Sequence, residues 1–278
     1  MGKSIGILSI KGGVGKTSSV VALGDAISGF GKRVLLVDAN FSAPNLGMHL
    51  KIVDPEKSLH DVLSRKANLR ESIQRYEISE NSLNPLKSKI SYGFDVLPSD
   101  LFNRSVINPL ELKNKIRYVK DSYDIILIDS SPALNDETLA AILASDEIII
   151  VTTPDYATLS VTLKAVKLAK QRRTPIIGLI LNKVHNKNFE LSLDDIEKTV
   201  NVPVLAVIPH DVDMLKATAN FVPSTTHKPN SKSSTEYKKL AGVLVGEKHK
   251  PLNFRDFFNP LPKRHEINRE IFYESLFG

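Results

Sequence analysis

Residues 9–18, SIKGGVGKTS, set amides, ammonium groups and hydroxyls at the spacing that phosphate chemistry requires. The backbone N–H groups of Gly12, Gly13, Val14 and Gly15 can wrap phosphate oxygens, because glycine reaches dihedrals closed to other residues and lets the chain come close. Lys16 would bridge the β- and γ-phosphates of a nucleotide, and the Thr17 hydroxyl would hold Mg²⁺. Ser18 completes the run, in the first turn of a helix whose dipole adds to the attraction for anions. One lysine suffices for this work, yet the run carries a second, Lys11. The strict phosphate-loop pattern also asks for glycine where this chain has Ile10, and the pair Gly12-Gly13 stands in for it.

Such a loop works only between a strand and a helix. Apolar, β-branched runs that read as strands fall at 4–9, 33–39, 123–129, 147–153, 175–182 and 202–209. They are apolar almost throughout, which predicts burial on both faces of a parallel sheet covered by helices. The helix after the loop shows Val20, Leu23, Ile27 and Phe30 at helical spacing. Another begins at Asn108-Pro109, with Glu111 placed for a capping box, and runs to about Asp121. Asn135 caps a third, and residues 158–173 make a fourth. Residues 53–105 are less regular, with a short helix at SLHDVLSR and a strand at FDVLP. Residues 224–234 read as a polar loop before the last core helix, TEYKKLAGVLV. The alternation predicts a doubly wound, mostly parallel α/β sheet in three layers over residues 1–245. Residues 246–278 hold three prolines and five phenylalanines and read as a C-terminal tail.

Composition narrows the chemistry. The 278 residues include no cysteine, which excludes disulfides, Cys-ligated zinc and Cys-bound iron–sulfur clusters. The histidines stand singly with no HxxxH pair, and no G-x-S-x-G elbow occurs. The N-terminus does not read as a secretory leader, and no run approaches the roughly 20 apolar residues of a membrane span. A cytoplasmic protein is expected, with peripheral membrane contact left open. The net charge of +6 is ordinary solubility charge or a mild attraction for polyanions.

The variant KGGVGKTS resembles the deviant phosphate loop of the MinD/ParA ATPases, a P-loop superfamily that includes the nitrogenase iron protein. The resemblance covers roughly residues 1–245 and implies ATP and Mg²⁺ as ligands. It implies that Lys11 crosses a homodimer interface to the partner's ATP, where it offsets phosphate repulsion and stabilises the transition state as an arginine finger does. It implies that VLLVDANFSAPNLGM is the first switch, with Asp38 near Mg²⁺. Relatives usually read D-x-D there, and this chain has Asn40 at the second acid. An amide can hold the attacking water but cannot take its proton, so slow hydrolysis is expected. YDIILIDSSPAL would bring Asp129 to Mg²⁺ and form the second switch in its SSPALN turn. Asn182 would read the adenine edge, and the loop with Pro209 and Asp211 would cover the base. By residue type alone, Asp129 could cap the following helix, and Asn40, Asn182 and Asp211 could be turn residues. Residues 182–185 read NKVH, not the guanine-reading NKxD, which favours ATP over GTP.

The function implied is an ATP-dependent dimerising switch that positions a cellular component, under an unknown activating protein. Its surface would be a membrane, through Phe254, Phe257 and Phe258 among Lys250, Arg255 and Lys263, although Glu266, Glu270 and Glu274 make an acidic stripe nearby. Nonspecific DNA, through Lys167, Lys170, Arg172 and Arg173, is the less favoured surface, since those cations also suit a helix C-terminus. The tail and SAPNLGMHL lean toward MinD-like proteins of the archaeal type. Two other readings stand: a small-molecule phosphoryl transferase of the same superfamily, which would not need Lys11, and a nucleotide-gated adaptor that barely hydrolyses ATP.

Overall fold

The computed structural model describes residues 2–79, 91–103, 105–247 and 263–278. Its sheet has eight strands: β1 (Lys3–Leu8), β2 (Val34–Ala39), β3 (Gln74–Ser79), β4 (Ser91–Leu97), β5 (Ile125–Ser130), β6 (Glu147–Thr152), β7 (Ile176–Val184) and β8 (Val204–Pro209). They lie in the order β3-β4-β2-β5-β1-β6-β7-β8. Every pairing is parallel except β3 with β4. The doubly wound parallel sheet expected from the apolar runs is present. Successive strand residues feed opposite layers: Ile126 and Ile128 pack into one core, Ile125 and Leu127 into the other. Each fully buried Ile or Leu contributes on the order of 1.5–3 kcal/mol.

The register positions the chemistry. Asp129 pairs with Ile7 on one side and Asp38 on the other, so both acids reach the carboxyl edge beside the loop that leaves β1. The helix Lys16–Ser28 lies close on β2, because Gly24 has no side chain: a Cβ there would meet Leu36 Cδ2 at 2.6 Å.

Several details differ from the sequence expectation. β3, QRYEIS, was not expected; it is an edge strand, and its polar alternation carries no apolar run to announce it. The helix after Asn108 opens as a 3₁₀ turn, Pro109–Glu111, before Leu112–Val119. Its capping box does not form: Asn108 accepts from the Leu110 N–H, and Glu111 accepts instead from Asn114 Nδ2 at 3.0 Å. The fourth helix runs Tyr156–Gln171, starting two residues early because Asp155 caps it. The polar stretch 224–234 is not a plain loop. It holds a short helix, Ser224–His227, and Ser231, whose hydroxyl caps the helix Lys232–Leu244 by accepting from the Ser234 N–H at 3.2 Å.

Residues Arg264–Phe277 form a helix against β8 and the helix Lys232–Leu244. Its inward face is mostly polar, with Phe272 packed against the core. Asn268 donates to Val204 O at 2.9 Å, and Arg269 donates to Leu205 O at 2.9 Å and to Glu236 at 2.8 Å. Ile267 and Ile271 are exposed. The anchor residues suggested by the sequence, Lys250, Phe254, Arg255, Phe257 and Phe258, lie outside the described residues. Among the described residues no helix is long and apolar enough to cross a membrane.

Candidate nucleotide-binding site

The loop between β1 and its helix takes the conformation its glycines permit. Gly13 and Gly15 have φ of 79° and 92°, in the left-handed region. A Cβ on Gly15 would also come within 2.2 Å of Asn182 Nδ2, so this position excludes side chains twice over. The loop is braced from β7: Asn182 Nδ2 donates to Val14 O at 2.8 Å, and Lys183 Nζ donates to Gly13 O at 2.6 Å. Lys183 itself is left-handed, at φ 58°, an uncommon state for lysine. Sequence reading missed Lys183; its signal, a lysine beside Asn182 at a strand end, gains meaning only once β7 lies next to the loop.

The two lysines of the loop face different partners. Lys16 is 6% exposed, and its Nζ lies 2.5 Å from Asp129 Oδ1. Thr17 Oγ1 donates to the other oxygen of the same carboxylate at 2.7 Å. Lys11 points away, to Thr158 Oγ1 at 2.7 Å and Asp155 Oδ1 at 3.3 Å. Three hydrogen-bond donors from Thr153 and Thr158 also reach Asp155 and, with Lys11, hold its carboxyl down at about 2 against the effect of burial. A cleft of about 340 Å³ opens on this outer side, lined by Lys11, Gly13, Asp155, Lys183, His185 and Phe189.

Asp38 is fully buried and accepts from the backbone N–H groups of Asn40, Asn45 and Leu46 at 3.0–3.1 Å. Burial, and then the Asp129 charge, push its carboxyl up to about 7. Thr17, Asp38 and Asp129 together offer hard oxygen ligands of the type Mg²⁺ takes, and two buried acids beside one lysine leave room for added positive charge. The residues therefore fit that ion. Asn40 is buried, and its side-chain amide donates to Ala43 O, closing the turn. Ser18 lies one turn into the helix and borders a small gap with His49 and Met214. Asp211 caps the helix Val212–Ala219 and accepts from Ser233 Oγ at 2.5 Å, while Pro209 ends β8 beside Val184. The structure thus gathers Lys16, Thr17, Asp38 and Asp129 at one point and sets Asn182 behind the loop. Asp211 is engaged with its own helix and Ser233.

Comparison with known proteins agrees with this geometry. A family model described as an AAA domain matches residues 2–178. An uncharacterized ATP-binding protein of Methanocaldococcus jannaschii is 32% identical over all of this chain and 98% of its own length. The chain belongs to the MinD/ParA family of P-loop ATPases. The septum site-determining protein MinD of Thermotoga maritima is 27% identical, over 89% of each chain. Among solved structures, the Pyrococcus horikoshii septum site-determining protein MinD, complexed with Mg-ADP, superposes with a TM-score of 0.76 at 30% identity, covering 88% of this chain and 96% of its own. At family level these relatives support nucleotide and Mg²⁺ binding and ATPase chemistry.

Proposed function

We propose that this MinD/ParA-family protein is an ATP-dependent dimerising switch that hydrolyses ATP slowly and positions another cellular component. The observation that carries the reading is the division of labour between the lysines. Lys16 is buried against Asp129, while Lys11 sits on the outer side of the same loop with its side chain 43% exposed. One lysine would serve the nucleotide of its own chain, and the other would reach a facing chain by leaving Asp155 and Thr158, which hold it on the outer side.

In this reading Gly12, Gly13, Val14, Gly15, Lys16 and Ser18 hold the phosphates. Thr17, Asp38 and Asp129 hold Mg²⁺, which would offset charge on the phosphate oxygens. Asn182 and the Pro209–Asp211 turn would flank the base. Asn40 orients the attacking water by hydrogen bonding but cannot accept its proton, so turnover is slow. A membrane surface reached through the C-terminal segment, or less favourably DNA on the exposed cations Lys167, Lys170, Arg172 and Arg173, would be the surface whose occupancy dimerisation raises. Septum placement is the role named for the relatives called MinD, and comparable positioning in the cytoplasm is the role proposed for this chain.

Light scattering on a sizing column tests the reading, in Mg-ATP and in Mg-ADP, with Lys11→Ala alongside. The expected result is a dimer in Mg-ATP alone, absent in the variant. One mass under all conditions would overturn the cross-dimer role of Lys11.

A further inference from the structure

Two consecutive residues, in the first turn of the helix Asp136–Ala144, hold the two loops that flank the phosphate loop. Glu137 Oε1 accepts from the Ser42 N–H at 2.9 Å and also from the Ser42 hydroxyl. Thr138 Oγ1 lies 3.0 Å from Ser131 O and 2.5 Å from Ala133 O, and donates to these carbonyls. Ser42 belongs to the loop 40–45, which carries Asn40 and lies between β2 and the short helix Leu46–His49. Ser131 and Ala133 belong to the turn after β5, whose last residues include Asp129. Asn135 fixes the start of the helix by accepting from the Thr138 N–H at 3.1 Å.

The loop 40–45 has little freedom of its own. Asn40 is bonded to Ala43 O, and the Asn45 and Leu46 N–H groups are bonded to Asp38. A displacement of Ser42 therefore moves Asn40. Glu137 is 6% exposed, and its Oε2 has no hydrogen-bond partner among the described residues. A buried carboxylate oxygen without a donor is unfavourable. An apolar side chain would avoid that cost. What offsets it is the pair of charge-assisted bonds that Oε1 receives from a loop 95 residues away in sequence.

We propose that Glu137 is a positioning residue that couples the two loops, so that the segment bearing Asn40 and the turn 131–135 rearrange together and not separately. Its consequence for ATP hydrolysis rests on the nucleotide reading above; the mechanical coupling does not.

Hydrogen exchange read by mass spectrometry, on Ser42→Ala, Glu137→Ala and the double variant, separates the two. Ser42→Ala should speed exchange in 40–46 and also in 131–135, roughly tenfold in each, within the range of measured site-to-site couplings. Glu137→Ala, which also removes the acceptor of the Ser42 N–H, should give the same pattern at least as strongly, and the double variant should match Glu137→Ala. Acceleration confined to 40–46, or effects that add, would overturn the proposal. Steady-state ATPase assays give a second readout. Glu137→Ala should lower kcat about tenfold with KM for ATP unchanged, as for a group acting only in the transition state, and Glu137→Gln should recover most of the loss. An unchanged kcat would also count against it. If Mg-ATP protects no amide of residues 11–18 in the wild type, the nucleotide reading fails, and the exchange comparison still decides whether Glu137 couples the loops.

Discussion

The phosphate loop and the terminal helix Arg264–Phe277 both bury charge, but they do so in opposite ways. At the terminal helix each inward group is matched. Arg269, 5% exposed, meets Glu236 and a backbone carbonyl of β8; Arg264 Nε lies 2.5 Å from Glu197; Asn268 Nδ2 reaches Glu197 at 2.6 Å and Val204 O. The outer edge of the sheet is closed by side chains where another strand would otherwise pair. At the phosphate loop two buried carboxylates, Asp38 and Asp129, share one lysine. The first arrangement is a finished joint. The second leaves Asp38 without a cation of its own, its carboxyl pushed toward protonation, at a point that an incoming cation would balance.

Substitutions should therefore act on different quantities in the two regions. Lys16→Ala removes the charged donor at the phosphates and should weaken Mg-ATP binding by about 3 kcal/mol, roughly 100-fold, by calorimetric titration. Arg269→Ala leaves Glu236, whose side chain is 15% exposed, with Lys239 but without its closest cation, and should cost about 2 kcal/mol of stability, seen in the denaturant midpoint, with nucleotide affinity unchanged. Asp129→Asn sharpens the contrast. Its amide oxygen can still accept from Lys16 and its NH₂ can donate to Thr17, while the repulsion on Asp38 disappears. Without Mg²⁺ the stability should change by less than ~1 kcal/mol, although a buried ion pair is lost. A large destabilisation would mean that the site is as finished a joint as the helix.

A change of pH probes the other side. Burial pushes the imidazole of His265 down to about 4, outweighing Glu236 and Glu266, which favour its charged form; Arg269 and Lys263 disfavour it. A depressed pKa gives stability that is present above the ordinary value of 6.5 and is lost as pH falls from there through about 4. Glu266, held low by the Lys263 N–H and by Lys239, works in the same direction. Amides of residues 264–277 should exchange faster at pH 5 than at pH 7.5, after correction for intrinsic rates, while those of 11–18 should not. Equal acceleration in both segments would show that the two regions do not differ in this respect.

What the sequence made legible follows the range of the interactions. The phosphate loop could be read because its function is written in adjacent residues: glycines for the left-handed turns, Lys16 and Thr17 at fixed offsets. The strands that carry it could be read because both their faces are apolar. β3 could not, since QRYEIS alternates polar residues at an edge and depends on β4 for its existence. Lys183, Asp155 and Glu137 were also invisible. Their partners lie 170, 144 and 95 residues away, so no spacing rule links them. The terminal helix misleads for a different reason. A period search looks for apolar residues facing inward, and here Arg269 and His265 face inward while Ile267 and Ile271 do not.

The smallest expected effect bears on Lys11. Its pair with Asp155 is surface-exposed, with side chains 43% and 46% accessible, so it stabilises the chain by no more than about 1 kcal/mol. Asp155→Ala also removes the cap of the helix Tyr156–Gln171, so a loss of about 1 kcal/mol is expected from that cap and not from the lysine. The substitution frees the Lys11 ammonium, still 2.7 Å from Thr158 Oγ1, from the carboxylate that, among the described residues, holds it on its own chain. If Lys11 acts across an interface, that carboxylate competes with the partner's phosphates. The variant should then dimerise in Mg-ATP up to about fivefold more tightly, since 1 kcal/mol is close to a factor of five. Sedimentation equilibrium across a concentration series resolves a change of that size. Weaker dimerisation would mean that Asp155 itself contributes to the interface, and the lysine pair would then differ in reach but not in the charge each is meant to meet.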